Sequence, residues 1–200
     1  MESFNDIGLT LKKWGCEQVL KQLRTLKLPS GESVIIREAV KTDAQKLIDF
    51  VGQVATESNF LTFGPNEFGI SLEQEEEFLD SLNRSTNKIM LIALTGTKII
   101  GNLSFEGGSR PRIEHVGELG VSVCKKYWNN GIGTTLVEEL IYWAQGSKII
   151  RKINLRVRTD NINAIRVYEK LGFVKEGTLT RDFFINGRFY DSIQMGLCID

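Results

Sequence analysis

The sequence predicts an α+β domain built on a mostly antiparallel sheet, and three observations carry that expectation. Runs with apolar residues at every second position recur from Ser33 to Leu197, separated by segments with helical spacing. Asn186-Gly187 stands between two such runs near the end of the chain, and this dipeptide supplies the two positive-φ positions of a tight hairpin. Between them a strand-like run, Glu118 to Cys124 (ELGVSVC), meets a glycine turn and then a helix-like run, Thr134 to Gln145 (TTLVEELIYWAQ).

The elements follow in order. Over residues 1–23, Ile7, Leu11, Trp14, Val19, Leu20 and Leu23 make a rough helical stripe interrupted by Gly8 and Gly15, which predicts a short docked helix. Residues 1–30 are expected to form a helical and strand extension packed on a domain spanning 31–200. Arg24–Leu28 and Ser33–Glu38 flank Pro29-Ser30-Gly31 and read as a hairpin. Thr42 is expected to cap a helix over Asp43–Val54, with Ala44, Leu47, Ile48 and Val51 on its apolar side. Phe60–Phe68 has no period and reads as an aromatic loop. Ser71 then caps an acidic helix, Leu72–Leu82, with carboxylates where the helix dipole favours them. Strands are expected at Lys88–Leu94, Lys98–Phe105 and Val116–Cys124. After the helix at Thr134–Gln145 come a strand at Lys152–Arg158, a helix at Asn163–Leu171 closed by Gly172, and the final hairpin.

Composition narrows the class. With 200 residues and 42% apolar content the chain is long enough for one domain with a substantial core. Its 25 acidic and 25 basic residues cancel, and no Lys/Arg run is present, so nucleic acid and membrane surfaces are not expected partners. Three widely spaced cysteines without a CxxC pair argue against a disulfide framework or a metal centre and for a reducing compartment. No signal-like apolar core opens the chain and no segment has spanning length, so a cytoplasmic location is expected.

The glycine turn carries the chemistry. In Asn129-Asn130-Gly131-Ile132-Gly133-Thr134 a strand hands over to a helix start, where glycines allow close approach and free N–H groups point outward with the dipole behind them. A diphosphate suits such a site. Thirty residues on stands Asn161-Ile162-Asn163-Ala164-Ile165-Arg166-Val167-Tyr168-Glu169-Lys170-Leu171-Gly172-Phe173. Together the two blocks resemble the GNAT superfamily of acetyl-CoA-dependent N-acetyltransferases. The family's Gln/Arg-x-x-Gly-x-Gly/Ala loop is here Trp128-Asn-Asn-Gly131-Ile-Gly133, and its Asn-x-x-Ala-x-x-x-Tyr-x-x-x-Gly-Phe is complete. Trp128 departs from the family's usual Gln or Arg.

The resemblance spans about Val34 to Leu197 and implies a mixed, mostly antiparallel twisted sheet flanked by helices in three layers. It also implies acetyl-CoA as co-substrate without a metal, and acetyl transfer by direct attack of a primary amine. That amine belongs to a small molecule or a protein N-terminus. In the family the strand before the glycine loop splays from its neighbour and pairs with the pantetheine arm, which assigns Val121, Ser122 and Val123 to the cofactor with Asn129, Asn130, Gly131, Ile132, Gly133 and Thr134. By type alone the three strand residues are also ordinary core positions. Asn161 and Ala164 flank the pantetheine in the family, although an Asn there is equally an N-cap. Tyr168 is the family's general acid for the leaving thiolate, or a core tyrosine bonded locally.

A neutral amine calls for a base or a water relay. Glu118 is the first candidate and Glu106 the second, and alternation puts Glu118, Gly120 and Ser122 on the face opposite Leu119, Val121 and Val123. A structural carboxylate explains Glu118 as well. His115 is read as structural and Cys124 as a small packed residue, since no His/Asn partner accompanies it. Acceptor recognition is expected from Phe60–Phe68 and from the hairpin around Arg181–Tyr190, with Glu57 and Glu67 as carboxylates that attract a cation or are simply solvated. A homodimer stays open as an assembly state.

Two other classes compete. A dinucleotide-binding oxidoreductase would require Gly or Ala where Leu136 stands, and a P-loop would require Gly-Lys-Ser/Thr; both are missing. A non-catalytic acyl-CoA-binding regulator of the same fold is the remaining alternative.

Overall fold

A computed structural model describes residues 22–200. The helix expected at the start of the chain lies outside the described residues. The strand part of the expected extension is β1 (Gln22–Lys27), hydrogen-bonded antiparallel to β2 (Ser33–Glu38) through a turn in which Gly31 has φ +85°. Then follow α1 (Ala44–Glu57), α2 (Leu72–Asn83), β3 (Lys88–Thr95), β4 (Lys98–Gly107), β5 (Val116–Val123), α3 (Ile132–Ser147), β6 (Lys152–Arg158), α4 (Ile162–Lys170), β7 (Val174–Ile185) and β8 (Arg188–Cys198).

The strands form one sheet in the order β1-β2-β3-β4-β5-β6-β8-β7. Every pair is antiparallel except β5–β6, which is parallel. This is the mixed, mostly antiparallel sheet flanked by helices that the sequence predicts. Ile89–Leu94 of β3 are buried without a break, so that strand is covered on both sides. Helices α1 and α2 pack together over one face, and α3 lies on the other, against β3, β4 and β5. Gly101 allows the α3 contact: a Cβ there would meet Ile132 Cγ2 and Leu136 Cδ1 at 3.4 Å. Leu136 and Leu140 are fully buried at this seam, each contributing roughly 1.5–3 kcal/mol of burial.

Helix starts show local chemistry at work. At Ser71 a capping box forms as expected, with its hydroxyl accepting from Gln74 N at 3.2 Å and the Gln74 side chain accepting from Ser71 N at 2.9 Å. Thr42 does not cap α1. The 3₁₀ turn Lys41–Asp43 precedes that helix, and the Asp43 carboxylate accepts from Val40 N at 2.9 Å while holding the Arg37 guanidinium at 2.7 and 2.8 Å. A cation from the neighbouring strand selects Asp43 over the hydroxyl beside it. Asn186 (φ 51°) and Gly187 (φ +78°) close the β7–β8 hairpin, as their types demand.

Candidate functional site

The parallel strands part early. β5 and β6 pair only at Val116–Lys152, Gly117–Ile153 and Glu118–Asn154, while both continue for several residues. On its other edge β5 stays paired with β4 as far as Val123–Gly101. Gly108 N donates to Val116 O and Cys124 N to Ile100 O, which fixes the phase of that ladder. Glu118, Gly120 and Ser122 therefore spend their backbone groups on β4. Leu119, Val121 and Val123 turn theirs toward β6, and beyond the last pair, Glu118–Asn154, those of Val121 and Val123 face the gap. The result is a wedge with unpaired strand groups along one wall, the form that accepts an extended ligand as an added strand.

Trp128 alters one of these groups. Its indole Nε1 donates to Val123 O at 2.7 Å, so that carbonyl is already taken and Val123 offers the wedge its N–H alone. The side chain that departs from the family pattern thus ties the glycine loop back to the strand that leads into it.

The loop itself is shaped to leave donors free. Asn129 (φ 60°) and Gly131 (φ +78°) are left-handed, and the Asn130 amide donates to Trp128 O at 3.0 Å and Tyr127 O at 3.3 Å. α3 begins at Ile132, two residues before the expected Thr134, with Gly131 as N-cap and Thr135 N making the first helical bond to Gly131 O. Among the described residues no acceptor is found for the N–H groups of Asn129, Asn130, Gly131, Ile132, Gly133 and Thr134. That row of donors at a helix start is an anion cradle. A Cβ on Gly131 would meet nothing within 4 Å, so the protein itself leaves the approach open. The side chain of Ile132 is in the core at 1% exposure, and the residue offers only its backbone.

α4 starts where β6 ends. The Asn161 carboxamide oxygen caps the helix, accepting from Ala164 N at 3.3 Å, which leaves its NH₂ as the group free for a ligand. Gly172 (φ +90°) ends the helix over Leu197, the β8 partner of Ile153. α4 thus lies on the same side of the sheet as α3, and the wedge opens between the two. Ala164 and Tyr168 share one side of α4 by their four-residue spacing. Tyr168 is buried at 8% exposure with its ring 5.8 Å from that of Phe173. No hydrogen bond to its hydroxyl is found among the described residues. Among the described residues the sole fully enclosed side-chain atom without a partner is Asn154 Oδ1, so the phenol oxygen is not fully enclosed by them. Burial pushes the phenol up to about 12.

Across the sheet, on the α1–α2 side, lies a polar floor. Ser122 Oγ donates to Asn102 Oδ1 at 2.7 Å, and Glu118 stands directly opposite Glu106. Neither carboxylate is alone: Arg156 Nε reaches Glu118 at 3.1 Å and Lys88 Nζ reaches Glu106 at 2.9 Å. Arg156 Nη1 also approaches Asp182 Oδ1 at 3.6 Å, and Glu118, first, with Asp182 holds the guanidinium above its ordinary value. Asp182 accepts in turn from the Ser192 hydroxyl. Arg158, one step on, is buried between the Phe60–Phe68 loop and the final hairpin. None of Arg156, Arg158 and Asp182 was identifiable as functional from residue type. The signal for the two arginines is their alternation in β6 on the face of Glu118.

Other candidates have local duties. Glu57 accepts from Lys125 N and Gln53 Nε2, each at 2.7 Å. Burial alone would push its carboxyl up, yet these bonds and the nearby Lys98 and Lys125 hold it below the usual carboxylate range. Glu57 is thus a strut between α1 and the approach to the glycine loop. Glu67 closes its own loop by accepting from Gly64 N at 2.7 Å. His115 is exposed before β5, at the end away from the wedge. Cys124 is buried, and its thiol is pushed up by that burial and then by Glu57, as suits a packed residue. Among the described residues no helix is long and apolar enough to cross a membrane.

Comparison with known proteins places this geometry. The model of the acetyltransferase (GNAT) family matches residues 56–173, more than half of the chain. An L-amino acid N-acetyltransferase of Escherichia coli is 33% identical over 105 residues, covering 52% of this chain and 65% of that protein. A spermidine N(1)-acetyltransferase of Vibrio cholerae is 32% identical over 83 residues, covering 42% of this chain and 48% of that protein. The matched stretches thus span from just under half to just under two thirds of those relatives. The crystal structure of a GNAT-family acetyltransferase from Streptococcus pneumoniae superposes with a TM-score of 0.81 at 38% identity, covering 84% of this chain and 99% of that one.

Proposed function

The chain belongs to the acetyltransferase (GNAT) family, and we propose that it transfers an acetyl group from acetyl-CoA to a primary amine by direct attack. One observation carries the reading: the early end of β5–β6 pairing opens onto the unbonded N–H groups of Asn129–Thr134. A pantetheine arm would pair with Val121 and with the Val123 N–H, and the diphosphate would meet the loop amides, with Gly131 leaving room. Asn161 would add its free NH₂, and Ala164 clearance. Acetyl-CoA supplies an activated acyl group and a thiolate leaving group.

The chain's own residues divide the remaining work. Tyr168, neutral across the physiological range, would donate a hydrogen bond to charge growing on the sulfur. Glu118, across the sheet on the polar floor, would take the amine proton directly or through a water, with Arg156 orienting its carboxylate. The relatives named for amino acid and spermidine acetylation support an amine acceptor.

The test is acetyl-CoA turnover followed by free-thiol release, with a panel of amino acids, polyamines and peptides with free N-termini. Mass spectrometry of the products should find N-acetylation. Transfer only to hydroxyls or thiols would overturn the reading. Tight CoA binding without turnover on any amine would make the protein an acyl-CoA-binding regulator.

A further inference from the structure

Arg158 is 5% exposed at the end of β6, and every face of its guanidinium is engaged. Nε and Nη2 fork onto the Asp160 carboxylate at 3.0 and 2.6 Å, and Nη1 donates to Asn59 O at 2.6 Å. Its Cζ lies 3.9 Å from the Tyr190 ring centre, 4.9 Å from that of Phe60 and 6.0 Å from that of Phe183. One side chain thus touches the α1–α2 connection, the β6–α4 turn and both strands of the final hairpin. Leu61 and Phe63 pack against the core, but in hydrogen bonding the connection is otherwise nearly self-contained. Phe60 N turns back to Ser58 Oγ, Gly64 N to Glu67, and Glu67 N to Gly64 O. Among the described residues, apart from that local turn onto Ser58, Arg158 to Asn59 O is the only hydrogen bond that joins residues 59–70 to the rest of the fold.

We propose that Arg158 is the positioning residue of the acceptor wall, holding residues 59–68 against the hairpin so that the amine meets a preformed cleft. The inference rests on the acetyl-transfer reading for its kinetic consequence, though not for its structural one. The aromatic box of Phe60, Phe183 and Tyr190 is filled by the protein's own cation, so it serves as a latch and is closed to a cationic acceptor. The glycine loop stands apart from that latch with its own Asn130 bonds, and α4, which adjoins the latch through Asp160, carries its own Asn161 cap. A lysine at 158 would keep the charge and lose both the fork and the stacking.

The experiment uses the full chain with Arg158→Lys and, as a second variant that spares the Arg158–Asp160 ion pair, Tyr190→Leu. Hydrogen exchange in residues 59–70 should rise by about tenfold or more in both, with β3–β5 unchanged. Calorimetric affinity for acetyl-CoA should stay within about twofold, while KM for the amine found by the panel rises about tenfold and kcat holds within about threefold. Unchanged exchange over 59–70, or acetyl-CoA affinity falling in step with acceptor KM, would overturn the proposal. If the parent protein acetylates no amine, the transferase reading fails, and the exchange measurement still decides the latch.

Discussion

Removing the Tyr168 hydroxyl isolates the leaving-group step. Burial takes this phenol to about 12, which is roughly 3.5 units above the ~8.5 of an ordinary thiol. At about 1.36 kcal/mol per unit, full proton transfer to a thiolate would be uphill by nearly 5 kcal/mol, so a hydrogen bond to the developing charge is the larger contribution. Such a bond to a charged partner contributes about 1.5–3 kcal/mol, which corresponds to roughly ten- to a hundredfold in rate, with the low end favoured because water can enter. Tyr168→Phe should therefore lower kcat by that factor and leave KM for acetyl-CoA nearly unchanged. Stability should change by less than about 1 kcal/mol at neutral pH, because the hydroxyl has no partner to orphan among the described residues. The alkaline limb supplies an internal control. With the folded value at about 12 and the unfolded one near 10, the tyrosine's contribution is fully present below about pH 10 and lost as pH rises toward 12. Urea titrations across that window should show the loss in the parent and not in the variant. Full kcat in the variant, or joint loss of stability and activity at neutral pH, would show a packing residue and leave the thiolate to solvent.

Three further outcomes test separate parts of the site. Gly131→Glu should weaken acetyl-CoA binding at least about tenfold by calorimetry; the positive φ costs an L-residue about 1–2 kcal/mol of stability, with no clash to add. Unchanged affinity in a folded variant would remove the phosphate-cradle assignment. Glu118→Gln should lower kcat by about 10²–10⁴ with acetyl-CoA affinity unchanged by calorimetry, whereas an unchanged kcat assigns the amine proton to water. Arg37→Met should cost about 3–5 kcal/mol in urea unfolding because it strands the buried Asp43 carboxylate, while activity per folded molecule holds; a loss below about 1 kcal/mol would refute the pairing as a support of α1.

What the sequence made legible were features whose cause is local. The hairpin at Asn186-Gly187, the helix stop at Gly172 and the Ser71 capping box follow from backbone conformations that few residues supply. Less legible was anything that depends on a distant partner. Thr42 lost the α1 start to Asp43 because Arg37 arrives from β2. α3 begins at Ile132 because the core claims that side chain, which a glycine-turn reading leaves outside the helix. Arg158 reads as a solvated strand cation until the fold brings Asn59, 99 positions away, onto its guanidinium.

The wedge belongs to the same group, and its origin is topological. A hairpin turn would hold two neighbouring strands together along their length, but β5 and β6 are parallel and joined only through α3, so nothing local pins them beyond Glu118 and Asn154. β6 instead answers to its other edge, where it pairs with β8 at every residue from Lys152 to Arg158. β5 likewise follows β4 to Val123. Each strand keeps a full ladder on one side, and the right-handed twist of two sheet halves so anchored separates them on the other. The backbone groups left unpaired at Val121 and Val123 are therefore a consequence of strand order. The residue types along β5 have only to avoid closing the gap, which Gly120 and Ser122, turned to the opposite face, and a carbonyl restrained by Trp128 allow.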